Sequence, residues 1–334
     1  MVNKKNFQEC ICDIGEQEIL NRLKLFMDEG QIENDTALIK TSNNNLIVNT
    51  DVLVDKVHFS DKTTSAIDVG WKAIAVNLSD LASSGVDEIL GVTIGLILPP
   101  RTPWEWVDGV YEGISSALNT YGGKLIGGDI SKGSEKVIAI TAIGSLGPLH
   151  LHRAHALPGD YLVTSGPHGL SRLGLAILLE EKIKQRNALS SELKNEAIKR
   201  HQRPVPPIIA LQKLISCKPR VLPWRAAGID TSDGLLEAIN NVCKSSNCKA
   251  ILNSNNFPRH PQWPIGNQWD QWCINGGEDY ELVLSLPPMW AEEWLKIVPS
   301  GHLLGEITQG EPKIVLDNDK EINLENYLGF NHFK

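Results

Sequence analysis

At 334 residues, with 42% hydrophobic and 22% charged residues, the chain has the composition of an ordinary globular protein and the length for two domains with two cores. Its formal net charge of -8 excludes nucleic acid and an anionic membrane as principal partners, because both require a basic surface. The six cysteines, Cys10, Cys12, Cys217, Cys243, Cys248 and Cys273, include no Cys-x-x-Cys pair and no framework of the secreted kind, so they read as reduced thiols, most of them buried.

The amino terminus carries Lys4 and Lys5 with no apolar stretch after them that would serve as a signal peptide, and the expected location is the cytoplasm. Residues 46–54 read as a strand. Residues 66–84 repeat apolar side chains at helical spacing (Ile74, Ala75, Leu78, Leu81, Ala82), while Asn77, Asp80 and Ser84 form a separate stripe and Gly85 supplies a stop. Residues 89–98 are the longest apolar run; it ends at Pro99-Pro100, far short of the roughly 20 residues that span a bilayer, and reads as a buried strand. A helix follows from near Pro103 to about residue 121. Residues 124–126 and 137–146 read as two further strands separated by a loop over 127–134.

A domain boundary falls near residue 150, after Gly147-Pro148, dividing the chain into 1–150 and 151–334. The second unit opens with Pro158-Gly159-Asp160 and a strand over 161–164, followed by a helix over about 171–181. Three prolines among residues 204–207 forbid a regular helix there. Residues 233–244 read as a helix with Leu235, Leu236, Ile239, Val242 and Cys243 toward the core, and 280–286 alternate as a half-buried strand. No solenoid period, heptad run or low-complexity tract is present, and the nine tryptophans, among them Trp263, Trp269 and Trp272, read mostly as core.

Four short segments carry aspartates at strand ends or beside a helix stripe: Asn49-Thr50-Asp51, Asn77-Leu78-Ser79-Asp80, Gly127-Gly128-Asp129 and Asp230-Thr231-Ser232-Asp233-Gly234. Hard oxygen ligands without Cys or His partners point to Mg²⁺, and a Mg²⁺-rich site points to phosphate chemistry. Each segment also has a plainer explanation. Thr50-Asp51 and Asp35 fit turns, Gly127-Gly128 fits a tight turn, and Ser232 or Asp233 fits a helix cap. Capping does not account for two aspartates three apart followed by a glycine. On the helix, a merely solvated face would carry Lys and Glu rather than Asn77, Asp80 and Ser84. Gly276-Gly277-Glu278-Asp279 places consecutive acids at the mouth of a strand, and His58 lies near the first segment, although an isolated histidine is more often packed or on the surface. No HExxH, Gx4GK[ST] or GxSxG pattern occurs.

Taken in order, these segments resemble the thiamine-monophosphate kinase family of the aminoimidazole-ribonucleotide synthetase superfamily. The match runs from Thr50-Asp51 through His58-Phe59, Lys72-Ala73 through Ala82, Gly127-Gly128-Asp129, Arg153 with Pro158-Gly159-Asp160, Arg203-Pro204, Asp230 through Leu235, and Gly276 through Leu282. Seven collinear matches are far more specific than any one. The resemblance implies an α/β (α+β) two-domain fold: an N-terminal domain that builds a β-barrel across a homodimer, and a C-terminal α/β domain closing the cleft. It implies transfer of the γ-phosphoryl group of ATP to thiamine monophosphate. By the family pattern Asp35, Asn49, Thr50, Asp51, Asp80, Asp129, Asp230 and Asp233 would hold several Mg²⁺ ions. Gly128, Asp129, Arg153, Ser232 and Tyr111 would contact ATP, and His58, Glu278 and Tyr327 the thiamine phosphate. Where the family has Gly-Asp-Asp-Ala, this chain reads Glu33-Asn34-Asp35-Thr36-Ala37, in which the second acid, the one expected to bind metal, is kept as Asp35; Asn49 replaces an expected serine.

The accepting phosphate has a second pKa near ~6 and is mostly a dianion at neutral pH, so no general base is required and direct in-line transfer is expected. The alternatives are another ATP-using synthetase of the superfamily and a non-catalytic nucleotide or thiamine-phosphate sensor.

Overall fold

The computed structural model describes residues 34–42, 45–185 and 189–317, with the single residues 18, 21 and 322. Its first half runs β1 (Ala37–Ile39), β2 (Leu46–Val54), α1 (Ala66–Ser83), β3 (Val86–Leu98), α2 (Trp104–Tyr121), β4 (Leu125–Lys132) and β5 (Val137–Leu146). These strands form a five-stranded sheet in the order β1-β2-β5-β3-β4, antiparallel except for the β3–β4 pair. Alternation along β2 buries Ile47, Asn49 and Leu53 and exposes Thr50 and Val52 on the other face.

Helix α1 begins where the Ser65 side chain accepts the Asp68 amide, and Gly85 follows its end at φ 94°, where the sequence places the stop. Helices α1 and α2 touch through glycine. A Cβ on Gly113 would lie 1.9 Å from the Ile67 carbonyl oxygen, and one on Gly70 would lie 2.0 Å from that of Val110. The backbones are therefore nearer than any side chain allows.

Residues 127–132, expected as loop, belong to β4. They pair in parallel with β3, from Gly127 opposite Thr93 to Lys132 opposite Leu98. Two glycines and several polar residues conceal this strand, because main-chain bonds to β3 hold it and all eight of its residues are exposed.

The second half comprises β6 (Tyr161–Thr164), α3 (Leu170–Leu178), α4 (Ser191–Gln202), α5 (Ile208–Ser216), β7 (Ala227–Asp230), α6 (Leu235–Ser246), β8 (Lys249–Leu252), α7 (Asn267–Asn275), β9 (Leu282–Leu286), α8 (Pro288–Ile297), β10 (His302–Thr308) and β11 (Lys313–Leu316). A six-stranded sheet runs β11-β8-β10-β6-β9-β7, with only β11–β8 parallel. The proline stretch separates α4 from α5. Strand β9 is buried along its whole length rather than on one face. Leu282, Leu284 and Leu286 meet a core with Trp290 and Trp294 of α8, whereas Val283 meets one with Leu235, Ile239 and Val242 of α6. Both faces of this sheet are covered, so the alternation separates two apolar environments.

The apolar core does not stop at residue 150. One cluster joins Ile47, Val92 and Ile140 to Val163, Leu211, Leu282 and Trp290. Two others lie in the second half, one around α6 and one uniting α3, α4 and α7 with Trp263 and Trp269. Most described tryptophans are core or packed against it, Trp290 and Trp294 donating to the carbonyls of Leu214 and Ala210, but Trp104 and Trp224 are exposed. Cys243, Cys248 and Cys273 are buried free thiols and Cys217 is half-buried; Cys10 and Cys12 lie outside the described residues. Among the described residues no helix is long and apolar enough to cross a membrane.

Gly113→Ala should destabilise the fold by about 1–3 kcal/mol, since its methyl group would have to displace the α1 backbone. Urea denaturation measures this, and a change under about 0.5 kcal/mol would mean that the two helices separate at little cost.

Candidate active site

The polar stripe of α1 is the scaffold of the acidic site. It is not solvated as a surface stripe would be: Asn77 and Ser84 are fully buried, against β2 and the chain around Asn34. Asn77 donates to the Ala73 carbonyl one turn back at 2.8 Å, which aims its oxygen at β2. There it accepts from the Asp51 amide at 3.2 Å and from Asn49 Nδ2 at 3.1 Å. Asn49 Nδ2 also donates to Asp80 Oδ2 at 2.8 Å. Ser79 Oγ, on the same helix, donates to Asp230 Oδ2 at 2.5 Å, where β7 ends. Ser83 Oγ donates to Asp35 Oδ2 at 3.2 Å, and the Arg153 guanidinium pairs with the other Asp35 oxygen.

Four carboxylates from widely separated segments thus converge. Burial, then the charges of Asp51, Asp230 and Asp35, pushes the Asp80 carboxyl well above its ordinary range. Burial, then Asp35, raises Asp230 to about 7 against the hydrogen bonds from Ser79 and Ser232. Asp51 is raised by burial and by Asp35, with a hydrogen bond to Asp80 pulling the other way. Like charges held this close in a poorly solvated place call for a cation.

The donor set suits Mg²⁺. It is all oxygen, and Asn49 Oδ1 is buried without a hydrogen-bond partner beside the acids. Among the described residues no three carboxylate, imidazole or thiol groups close on a common point. Mg²⁺ needs no such cage, because it takes one or two carboxylates and fills its octahedron with water and phosphate oxygens.

Other expected residues lie apart. The Thr50 side chain points to the opposite face of β2 from Asn49 and Asp51 and shares a 2.8 Å hydrogen bond with Thr141 Oγ1, so its hydroxyl does not join the acids. The register runs Asp51, Ile140, Ile94, Gly128 across four strands, which separates Asp51 from Gly128 by about 14 Å at normal strand spacing. Asp129, one residue on, faces the other side of the sheet, opposite Gly95. A Cβ on Gly128 would lie 2.3 Å from the Ile94 carbonyl, so glycine is required there by strand packing. Tyr111 opens on a groove of about 630 Å³ lined by α2 residues such as Asp108, Glu112 and Asn119, and none of Asp35, Asp51, Asp80 and Asp230 lines it. Ser232 and Asp233 are exposed in the turn before α6, and the Ser232 carbonyl accepts the Glu278 amide at 2.7 Å. Tyr327 lies outside the described residues.

Beside this turn is a second polar group, in which the expected Glu278 and His58 are joined by Lys72 and His201, two residues to which the sequence reading gave no role. Lys72 is wholly buried, and its Nζ lies 2.7 Å from Glu278 Oε1 and 3.2 Å from the His58 carbonyl oxygen. His201 Nδ1, at the end of α4, lies 3.3 Å from Glu278 Oε2 and 3.1 Å from Ser171 Oγ. The His58 ring is occupied locally, its Nδ1 accepting the Val54 amide at 3.0 Å. A lysine three residues after Val69 and four before Val76, inside the apolar stripe of α1, was the available signal. His201 offered none.

Residues 33–146 match a family model described as "AIR synthase related protein, N-terminal domain". Over 333 residues, the full length of both chains, the sequence is 55% identical to a thiamine-monophosphate kinase of Prochlorococcus marinus. It is 36% identical to a thiamine-monophosphate kinase of Synechococcus elongatus, over 97% of this chain and 98% of that one. The fold superposes with a TM-score of 0.83 on a solved structure described as "AaThiL complexed with AMPPCP and TMP", at 28% identity and covering 98% of this chain and 100% of that one. The aminoimidazole-ribonucleotide-synthetase-like fold is therefore the one observed, and the chain belongs to the thiamine-monophosphate kinase family.

Proposed function

We propose that this chain transfers the γ-phosphoryl group of ATP to thiamine monophosphate, giving thiamine diphosphate and ADP. The observation that carries this reading is the convergence of Asp35, Asp51, Asp80 and Asp230 on one site in a member of this family. Asp35, Asn49, Asp51, Asp80, Asp230 and Asp233 would hold Mg²⁺. When bound, Mg²⁺ neutralises phosphoryl oxygens and lets two polyanions approach. Thr50 would serve through its main chain, its hydroxyl being engaged with Thr141, and Asp129 as an outlying ligand beside Gly127 and Gly128.

The remaining roles belong to the chain's own polar groups. Arg153, paired with Asp35, offers a guanidinium that fits phosphate oxygens in the same way as carboxylate oxygens. Ser232, Gly128 and Tyr111 are assigned to the nucleotide, and His58 and Glu278 to the acceptor. No side chain has to remove a proton, since the acceptor phosphate is already a dianion, and transfer is direct. The uncovered face of the first sheet, where Val52 and Ile97 are exposed, is assigned to a second copy of the chain, giving a homodimer. Residues 1–150 and 151–334 are taken as two domains, each built on one sheet, in a cytoplasmic enzyme.

Incubation with ATP, Mg²⁺ and thiamine monophosphate, followed by chromatography, should yield thiamine diphosphate; tight binding without product would instead favour a sensor. Rapid quench with labelled ATP should trap no phosphorylated protein, and a trapped phosphoenzyme would exclude direct transfer. Asp129→Ala tests the outlying assignment: a loss of about 90% or more of turnover with an unchanged melting temperature supports it, and near-normal activity removes Asp129 from the site. Asp230 has a folded pKa of about 7 against an ordinary 3.8, so the folded state binds its proton more readily and stability falls as pH rises between those values. In metal-free protein, Asp230→Asn should flatten this slope and raise the melting temperature at pH 7.5 by roughly 3 °C or more. An unaltered slope would mean that Asp230 is not strained by its neighbours.

A further inference from the structure

Lys72 carries its ammonium into the protein interior, where it meets Glu278 rather than any of the acids that converge with Asp80. Its side chain is 0% exposed, yet the carboxylate it meets is 28% exposed. Burying an ammonium costs several kcal/mol, and an apolar side chain at this position on α1 would avoid that cost. The charge is therefore explained by what it holds. Its two partners are the Glu278 carboxylate at 2.7 Å and the His58 main-chain carbonyl at 3.2 Å, the two residues assigned to the acceptor substrate.

Glu278 is fixed on every other side. Its backbone is held at φ 65°, unusual for a residue with a side chain, and its amide is bonded to the Ser232 carbonyl. His201 Nδ1 approaches the second carboxylate oxygen and is itself steadied by Ser171. Burial alone would raise the Glu278 pKa, but Lys72 and then His201 bring it down to about 2, so the group is ionised at any physiological pH. The result is an anion of fixed position and charge with part of its surface open. Such a group recognises a cation or a ring bearing N–H donors. Thiamine monophosphate has both, in its permanently charged thiazolium and its aminopyrimidine.

We propose that Lys72, on the first half of the chain, is a positioning residue that acts through the Glu278 carboxylate assigned to the acceptor, and so sets affinity for thiamine monophosphate rather than the rate of phosphoryl transfer. The inference rests on the functional reading above, and the two fail separately. If the wild-type protein forms no thiamine diphosphate, the functional reading is wrong; if it does, the following cycle decides the role of Lys72.

Initial rates of the full-length protein are measured with each substrate varied in turn, for wild type, Lys72→Met, Glu278→Gln and the double variant. Lys72→Met should raise KM for thiamine monophosphate about tenfold or more, with kcat and KM for ATP within about threefold of wild type. The double variant should be no worse than Glu278→Gln alone, because Lys72 acts through that carboxylate. Loss of kcat with an unchanged acceptor KM would overturn the proposal, as would effects on both substrates alike. Near-ultraviolet circular dichroism checks folding. Should Lys72→Met not fold, the double variant, which removes both charges, carries the test: a KM matching Glu278→Gln supports the role, and a further tenfold rise overturns it.

Discussion

Repulsion among Asp35, Asp51, Asp80 and Asp230 is the constraint around which the rest of the molecule is organised. Four carboxylates drawn from four separate stretches of chain cannot be packed together by the hydrophobic effect, which would leave each of them in water. They are placed instead by a rigid frame whose own stability comes from elsewhere, and polar side chains then hold three of them at their posts, Asn49 on Asp80, Ser79 on Asp230, Ser83 and Arg153 on Asp35, while Asn77 accepts from the main-chain amide of the fourth, Asp51. Burial first, and then the charges of the neighbouring acids, raise the affinities of Asp80 and Asp230 for protons, which is the electrostatic cost of this placement. A divalent cation held by these acids would offset that cost and supply the charge that phosphate oxygens require.

Helix α1 is that frame. It shares a core with both halves of the chain, packs on α2 through Gly70 and Gly113, and presents one buried polar stripe. Because its apolar residues are locked on the sheet side and against α2, the direction of Asn77, Ser79, Asp80 and Ser83 is fixed to within a rotamer. The same helix carries Lys72, about two turns nearer its start than Asp80, so the acids proposed to hold metal and the carboxylate assigned to the acceptor are referred to a single rigid element. Rigid support matters in phosphoryl transfer, where catalysis consists almost entirely of placing two anions in line and neutralising their charge.

Much of this could be read along the chain. Strand β2, helices α1 and α2 and the start of the second unit follow from side-chain periodicity and from Gly and Pro stops, which are local properties. The acids were legible as a class because Asn, Ser and Asp on a helix otherwise suited to burial have no cheap structural explanation. Strand β4 was hidden because its hydrogen bonds are supplied by β3, and side-chain pattern does not report a strand held only by its main chain. The full burial of β9 was hidden for a related reason: alternation distinguishes two faces but does not say whether the second face meets water or another helix layer.

Composition, spacing and collinear order by themselves determined the kind of chemistry: hard oxygen donors, phosphate substrates, and membership of one family. Tertiary structure decided which of these oxygens meet. It set Thr50 and Asp129 on the far side of the sheet from Asp51, because a strand turns successive side chains to opposite faces and a sheet keeps its rows apart. It also brought Lys72 to Glu278 across some two hundred residues of chain, a pairing that depends on how two sheets dock and that no local pattern encodes.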